Sequence, residues 1–214
     1  MANKRGVFIT LEGGEGSGKS TQIKRLTQCL EEAGHDVLLT REPGGSDAGE
    51  AMRDLFVAQN GAEWPVAAQA LLMFAARAHH TETLIKPALS AGRVVISDRY
   101  TDSTRVYQGV AGGMPKEAIE SIKQSAIGDF EPDITFLLDI APEEGLARGQ
   151  GRGNDTDTTF ETKTIAFHEM LRQGYLDIAH ADKERCIVID AAQDMDTIAD
   201  QLKQATLEKI EKYV

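Results

Sequence analysis

Net positive charge is what this sequence most lacks. Its 34 acidic residues outnumber 23 Lys and Arg, for a formal charge of −11. A protein that tracks a nucleic-acid backbone needs a basic surface, so that class is excluded. A nucleotide pocket is not excluded, because a few local cations suffice there. Cysteine is scarce as well. Cys29 and Cys186 lie far apart and in no metal-ligand spacing, so they read as reduced thiols of a cytosolic protein. Long apolar runs are missing. The most apolar window, residues 67–78, is interrupted by Gln69 and Arg77 and falls short of a membrane span. The run Val7–Leu11 is too short for a signal-peptide core, so the expected location is cytoplasmic, with no membrane partner. No Asn-Lys-x-Asp base-reading motif occurs late in the chain, which argues against a GTPase. There is no repeat and no linker, and 214 residues make one sizeable domain.

What is present is an alternation. Apolar runs at GVFITLE, HDVLLT, GRVVISD, DITFLLDI and RCIVID read as buried strands. Helical patterns stand between them: one after residue 19, one over 46–58, a long one over 66–90 broken or kinked near Pro87, and others over 114–127, 142–148, 160–181 and from about 195. Strands alternating with helices predict an α/β fold with five parallel strands, helices on both faces and right-handed crossovers. Ligands bind such sheets beyond the C-terminal strand ends.

GGEGSGKST, residues 13–21, sits between the first strand and the first helix and satisfies G-x-x-x-x-G-K-[ST]. This is a P-loop NTPase pattern. The backbone of Gly13, Gly14, Glu15, Gly16, Ser17 and Gly18 and the helix start at Lys19, Ser20 and Thr21 would cradle ATP phosphates. Lys19 reaches the β- and γ-phosphates, and the Ser20 hydroxyl can ligate Mg²⁺. Asp98, at the end of GRVVISD, is the expected second Mg²⁺ contact, and Asp139, ending another strand, is its rival. Arg41, Arg99, Arg148 and Arg152 fall at strand ends or in a Gly-rich loop, which is more cation than one triphosphate requires. Two phosphorylated substrates facing each other would require it.

TREPGG (40–45), LLMFAARAHH (71–80), IKPAL (85–89), SDRYTDST (97–104), YQG (107–109) and GDFEPDITFLLD (128–139), in this order, make the chain resemble the bacterial-type thymidylate kinase family. The resemblance implies a nucleoside monophosphate kinase with a lid, transferring phosphate from ATP to dTMP, and a homodimer. It implies that Arg99 and Arg41 hold the dTMP phosphate, that Phe74 stacks on thymine and Arg77 donates to a thymine carbonyl. Thr104 is implied to bond the ring with Gln108 near it, Tyr107 to pack on the sugar and disfavour a 2′-hydroxyl, and Glu15 to accept from the sugar 3′-hydroxyl. It also implies a cis Glu42–Pro43 peptide. Arg41 has a competing use, a salt bridge to Glu42. A kinase for another nucleotide or nucleoside, or a regulatory P-loop switch, remains the alternative; a switch has no need of Phe74, Arg77, Thr104 and Tyr107.

Some members of that family carry an arginine inside the P-loop, where this chain has Gly16. The missing charge points to a flexible lid over about 148–159, with Arg148 and Arg152 as its cations. Arg152 is favoured for the phosphates, and Arg148 can equally pack on adenine. Thr158 and Thr159 stand where related lids have Asp and Arg, while Phe160 and Glu161 match. His79 and His80 are read as non-metal residues, at least one of them facing solvent, and Asp190 as structural or adenine-side.

Overall fold

Residue Phe8 points to one side of its strand and Ile9 to the other, and both are wholly buried. That is the mark of a sheet covered on both faces. The structure, a computed structural model, describes residues 5–58, 63–149, 160 and 163–213. Its strands are β1 (Phe8–Glu12), β2 (Val37–Arg41), β3 (Val94–Asp98), β4 (Ile134–Asp139) and β5 (Cys186–Asp190). All pair in parallel, in the order β2-β3-β1-β4-β5. This is the five-stranded parallel α/β sheet expected. The central strands β1, β3 and β4 are near-continuous apolar runs because neither of their faces meets water, while the edge strands β2 and β5 expose Leu39 and Val188.

On one face, Ile9, Leu11, Ile96 and Phe136 meet Ile23, Leu26 and Leu30 of α1 (Lys19–Glu32) and Ile198 and Leu202 of α9 (Met195–Tyr213). On the other, Phe8 and Val95 meet Tyr100, Ile85 and Leu89, and Leu137 meets Val106, Leu171 and Tyr175. The helices on that side are α3 (Val66–His80), α4 (Lys86–Ser90), α5 (Thr101–Thr104), α6 (Lys116–Ile127) and α8 (Ile165–Ala181). α2 (Asp47–Ala58) packs on α3, and α7 (Pro142–Gly149) follows β4.

Two boundaries differ from the sequence reading. The long helix is not broken at Pro87. A π-helical turn, Thr81–Ile85, carries α3 into α4 and puts Pro87 in the first turn of α4, where a missing N–H costs nothing. α8 starts at Ile165 rather than 160, because the Thr164 hydroxyl caps it by accepting the Phe167 N–H. A second π-helical stretch, Arg105–Ala111, continues α5. The lid over about 148–159 lies outside the described residues except for Arg148 and Gly149.

Candidate active site

The P-loop geometry begins with φ. Gly16 and Gly18 sit at +68° and +88°, in the left-handed region that L-residues avoid. Gly18 precedes α1, whose start has no side-chain cap, so the first-turn N–H groups are open to an anion. Lys19 Nζ donates to the carbonyls of Gly13 and Gly14, both at 3.0 Å. Burial, then the neighbouring Arg99 charge, push its pKa down to about 8. A bound polyphosphate reverses that pressure. The Ser17 hydroxyl closes the loop on the Gly14 carbonyl at 2.9 Å. The Thr21 N–H is already used within the helix start, on Gly18 O at 3.1 Å.

Gly16 is required for a second reason. A Cβ built there would lie 1.8 Å from the carbonyl oxygen of Gly145, in α7. In return, a Cβ on Gly145 would lie 2.4 Å from the carbonyl oxygen of Glu15. α7 therefore docks on the P-loop backbone to backbone. That contact fills the space where a P-loop arginine would otherwise stand.

From the P-loop a cleft of about 310 Å³ runs between α3, α5 and the loop after β2. The structure brings Glu15, Lys19, Ser20, Arg41, Arg77, Asp98, Arg99, Thr104, Tyr107 and Gln108 together along it. Phe74 is not among its lining residues. It is 1% exposed and its ring lies 4.8 Å from the Arg77 guanidinium carbon. The stacking expected of Phe74 is therefore corrected. At 100° per residue, the α3 face turned to the cleft carries Met73, Ala76 and Arg77, and Phe74 points into the core. Arg152 lies outside the described residues, so it has no placement in this site.

Arg99 is at the centre. Its guanidinium donates to Gly13 O at 3.2 Å, Ser103 Oγ at 3.2 Å, Tyr175 Oη at 3.0 Å and Glu15 Oε1 at 3.1 Å. It also lies 5.2 Å from the Tyr107 ring centre. Glu15 also accepts from the Tyr107 hydroxyl at 3.3 Å. Burial would raise the Glu15 pKa, but Arg99 and then Lys19 outweigh it, so the carboxylate is held ionised.

Asp98 and Asp139, the rivals for a metal, are separated by their partners. Arg172 forks both oxygens of Asp139, at 2.7 and 2.8 Å. Asp98 Oδ1 is buried with no hydrogen-bond partner and borders the cleft beside Ser20. An orphaned carboxylate oxygen next to a P-loop hydroxyl suits Mg²⁺, which takes one or two protein oxygens and completes its shell with water and phosphate. Among the described residues no group of three or more His, Cys, Asp or Glu could hold a metal by itself.

Arg41 does not pair with Glu42. Successive strand residues face opposite ways, so Arg41 turns outward to Glu50 at 2.9 Å and Glu42 turns inward to Arg77 at 2.7 Å. The Glu42–Pro43 peptide is cis. Arg148 donates to Ala191 O at 2.8 Å, which sets it beside the segment that follows Asp190, while Asp190 itself caps the Ala192 N–H. His79 is exposed and His80 wholly buried.

Sequence reasoning gave no role to Glu12, Arg53 and Tyr175, and took Phe160 only as a match to related lids. Arg53 lines the cleft and donates to Pro43 O at 3.3 Å; its one-turn spacing from Glu50 was the available signal. Phe160 lines the cleft and packs edge-on against Tyr107, with ring centres 5.0 Å apart. Glu12 accepts from Tyr100 N–H at 2.8 Å, Ser103 Oγ at 2.7 Å and Tyr175 Oη at 3.1 Å. Burial, then Asp102, push its pKa up to about 7. The native state thus holds this proton more tightly than the unfolded chain does. Its stabilising effect is complete below about pH 4.5 and is lost as pH rises through 7, a change on the order of 3 kcal/mol. Glu12→Gln is expected to remove this fall, flattening the unfolding free energy between pH 5 and 7.5 in urea titrations. A variant with the wild-type slope would assign the slope to other groups.

A family model described as thymidylate kinase matches residues 11–202. The thymidylate kinase of Caulobacter vibrioides is 45% identical over 206 residues, covering 96% of this chain and 98% of that one. The thymidylate kinase of Rhodopseudomonas palustris is 48% identical over 203 residues, covering 94% and 88%. Among solved structures, the crystal structure of thymidylate kinase from Ehrlichia chaffeensis matches with a TM-score of 0.76 at 32% identity. That match covers 95% of this chain and 99% of that one.

Proposed function

The chain belongs to the thymidylate kinase family, and from that premise we infer how its cleft carries out the ATP-dependent phosphorylation of dTMP to dTDP. The observation that carries the assignment of roles is the continuity of the cleft. One end is the P-loop, the other is headed by buried Arg77, and Arg99 ties the P-loop residues Gly13 and Glu15 to Ser103 of α5. ATP places its phosphates on the P-loop N–H groups and Lys19. dTMP enters from the other end with its phosphate toward Arg99 and Arg41.

In the transfer, an oxygen of the dTMP phosphate attacks the γ-phosphorus as the bond to the ADP oxygen breaks. Protein catalysis of this step is positioning plus neutralisation of charge. Lys19 and Arg99 supply cations on either side of the moving group. Asp98 and Ser20 would hold Mg²⁺, which supplies further neutralisation of the β- and γ-phosphates when bound. Glu15, ionised, accepts from the sugar 3′-hydroxyl, and Tyr107 walls the sugar. We assign Arg148, whose guanidinium donates to Ala191 O and Glu144, to packing on adenine. That leaves the phosphate-facing lid role to Arg152.

The base slot follows from donor counting. Arg77 commits Nε to Glu42, one Nη1 hydrogen to Thr104 and one Nη2 hydrogen to Tyr100 O. Two of its five N–H groups remain to meet a base carbonyl. Gln108 gives its amide nitrogen to Gln69 at 3.0 Å, which leaves its oxygen to accept from the ring N–H. Phe74 supports Arg77 from below, and Met73 and Tyr107 provide the walls. A slot built of donors rejects a base with an amino group at that edge, because buried N–H groups would go unpaired. In a coupled assay over dTMP, dUMP, dCMP, dGMP, UMP and thymidine, dTMP is expected to be the best acceptor. dCMP is expected to fall at least about 10³-fold lower in kcat/KM. A panel in which another monophosphate outperforms dTMP would reject these base contacts.

We assign the chain one catalytic domain spanning residues 1–214, a cytoplasmic setting and a homodimer. Cys29 and Cys186 are unbridged, and among the described residues no helix is long and apolar enough to cross a membrane. α3 turns Leu71, 56% exposed, outward with Ala67 and Ala75, one turn apart and without a charge between them, next to exposed Leu55 of α2. A second copy burying the same stripe satisfies two-fold symmetry. Sedimentation velocity reads this directly, and a species of one-chain mass at micromolar concentration would refute it.

A further inference from the structure

His80 lines no part of the cleft, yet it ends a buried polar chain that starts there. Arg77 Nε donates to Glu42 Oε2 at 2.7 Å. His80 Nδ1 meets the other oxygen, Glu42 Oε1, at 2.9 Å, and His80 Nε2 meets Thr40 Oγ1 at 2.7 Å. Arg77, Glu42 and His80 have side-chain exposures of 3%, 5% and 0%. A Cβ on Gly45, whose φ is +75°, would lie 2.4 Å from Thr40 Oγ1 and 2.5 Å from His80 Nε2. The loop backbone therefore closes over the Thr40–His80 bond and keeps water from replacing it.

We propose that His80 is a positioning residue for base recognition, acting on Arg77 through Glu42. An ion pair alone fixes the separation of Arg77 and Glu42, but not the rotation of the carboxylate about its own axis. A donor on each oxygen does fix it. His80 on Oε1 and Arg77 on Oε2 set the carboxylate plane, which in turn sets the plane of the guanidinium and the aim of its uncommitted N–H groups. Thr40 holds the imidazole from β2, so strand, loop and α3 are tied into one rigid mount behind the base slot. Without His80, Oε1 is a buried acceptor lacking its donor, and the carboxylate turns to recover one. The mount serves the acceptor end only; Lys19 and the P-loop share no bond with it. This inference rests on Arg77 as the reader of the base.

The test compares His80→Ala, His80→Asn, Arg77→Gln and the His80→Ala/Arg77→Gln double variant. The readouts are KM for dTMP, KM for ATP, kcat and Tm. His80→Ala is expected to raise KM for dTMP about 10-fold with KM for ATP within about twofold. His80→Asn puts an amide donor where Nδ1 stood and is expected to recover most of the loss. Arg77→Gln is expected to raise KM for dTMP about 10²-fold, and His80→Ala added to it changes KM by less than about twofold, since both act on one contact. Multiplying effects, or equal losses for both substrates in His80→Ala, overturn the proposal. Should His80→Ala fail to fold, Thr40→Val removes one hydroxyl from the same chain. A selective rise in KM for dTMP there supports the mount, and no change overturns it. If Arg77→Gln does not separate dTMP from ATP, the base-reader assignment itself falls, whatever His80 does.

Discussion

Arg99→Lys is expected to lower kcat about 10³-fold while Kd for ATP stays within a few-fold. Arg99 occupies the left-handed region at φ 68°, unfavourable for a residue with a side chain, and the fold holds it there with four hydrogen bonds. Those bonds span the P-loop carbonyl of Gly13 and the carboxylate of Glu15. The proposed mechanism sets the γ-phosphate and the acceptor phosphate against this guanidinium. Lysine keeps the charge but loses the fork: its ammonium cannot bond Gly13, Tyr175 and Glu15 at their present separations and still face two phosphates. The ground state is expected to depend less on this residue, because the proposed mechanism gives ATP binding to Lys19 and the loop N–H groups. Single-turnover kinetics with calorimetric Kd values for each substrate separate the two effects. A kcat within tenfold of wild type would make Arg99 a structural tie between P-loop and α5.

The second large effect belongs to Gly16. Gly16→Ala is expected to lower kcat/KM for ATP about 10²-fold and to lower Tm by roughly 6–12 °C. The methyl group cannot coexist with the Gly145 carbonyl at 1.8 Å, so loop or helix must move. A left-handed alanine adds about 1–2 kcal/mol. A shift of an ångström in the loop misaims every phosphate-binding N–H at once. Gly16→Arg is expected to do no better, although it supplies the cation that some relatives carry there, because α7 occupies the side-chain volume. The coupled assay over an ATP titration and differential scanning calorimetry check both quantities. An active, stable Gly16→Arg would show that α7 leaves the P-loop freely.

The sheet was legible because a parallel strand buried on both faces has no alternation to misread; FITLE and ITFLLD are apolar runs and became β1 and β4. The P-loop was legible because its chemistry is contiguous. Phe74 was misassigned because sequence shows which residues share a helix but not the helix's rotation against a cleft; one residue of phase separates Phe74 from Met73. Both π-helical stretches were missed, since i→i+5 bonding has no spacing signature comparable to the α-helix. Glu12 and Tyr175 went unassigned for a different reason: 163 positions separate them, and only the crossovers bring the Tyr175 hydroxyl onto the Glu12 carboxylate. What separates Asp98 from Asp139 in the structure is a partner, Arg172, that lies 33 residues from Asp139 and so is invisible in the local sequence.

The contact between Gly16 and Gly145 also couples two distant stretches of the chain. In this structure a side chain at residue 16 and the present seat of α7 exclude each other, so neither glycine can be replaced while the other contact stands. P-loop and α7 therefore behave as one backbone joint: a side chain at residue 16 requires α7 to move, and any movement of α7 is felt at the phosphate-binding loop.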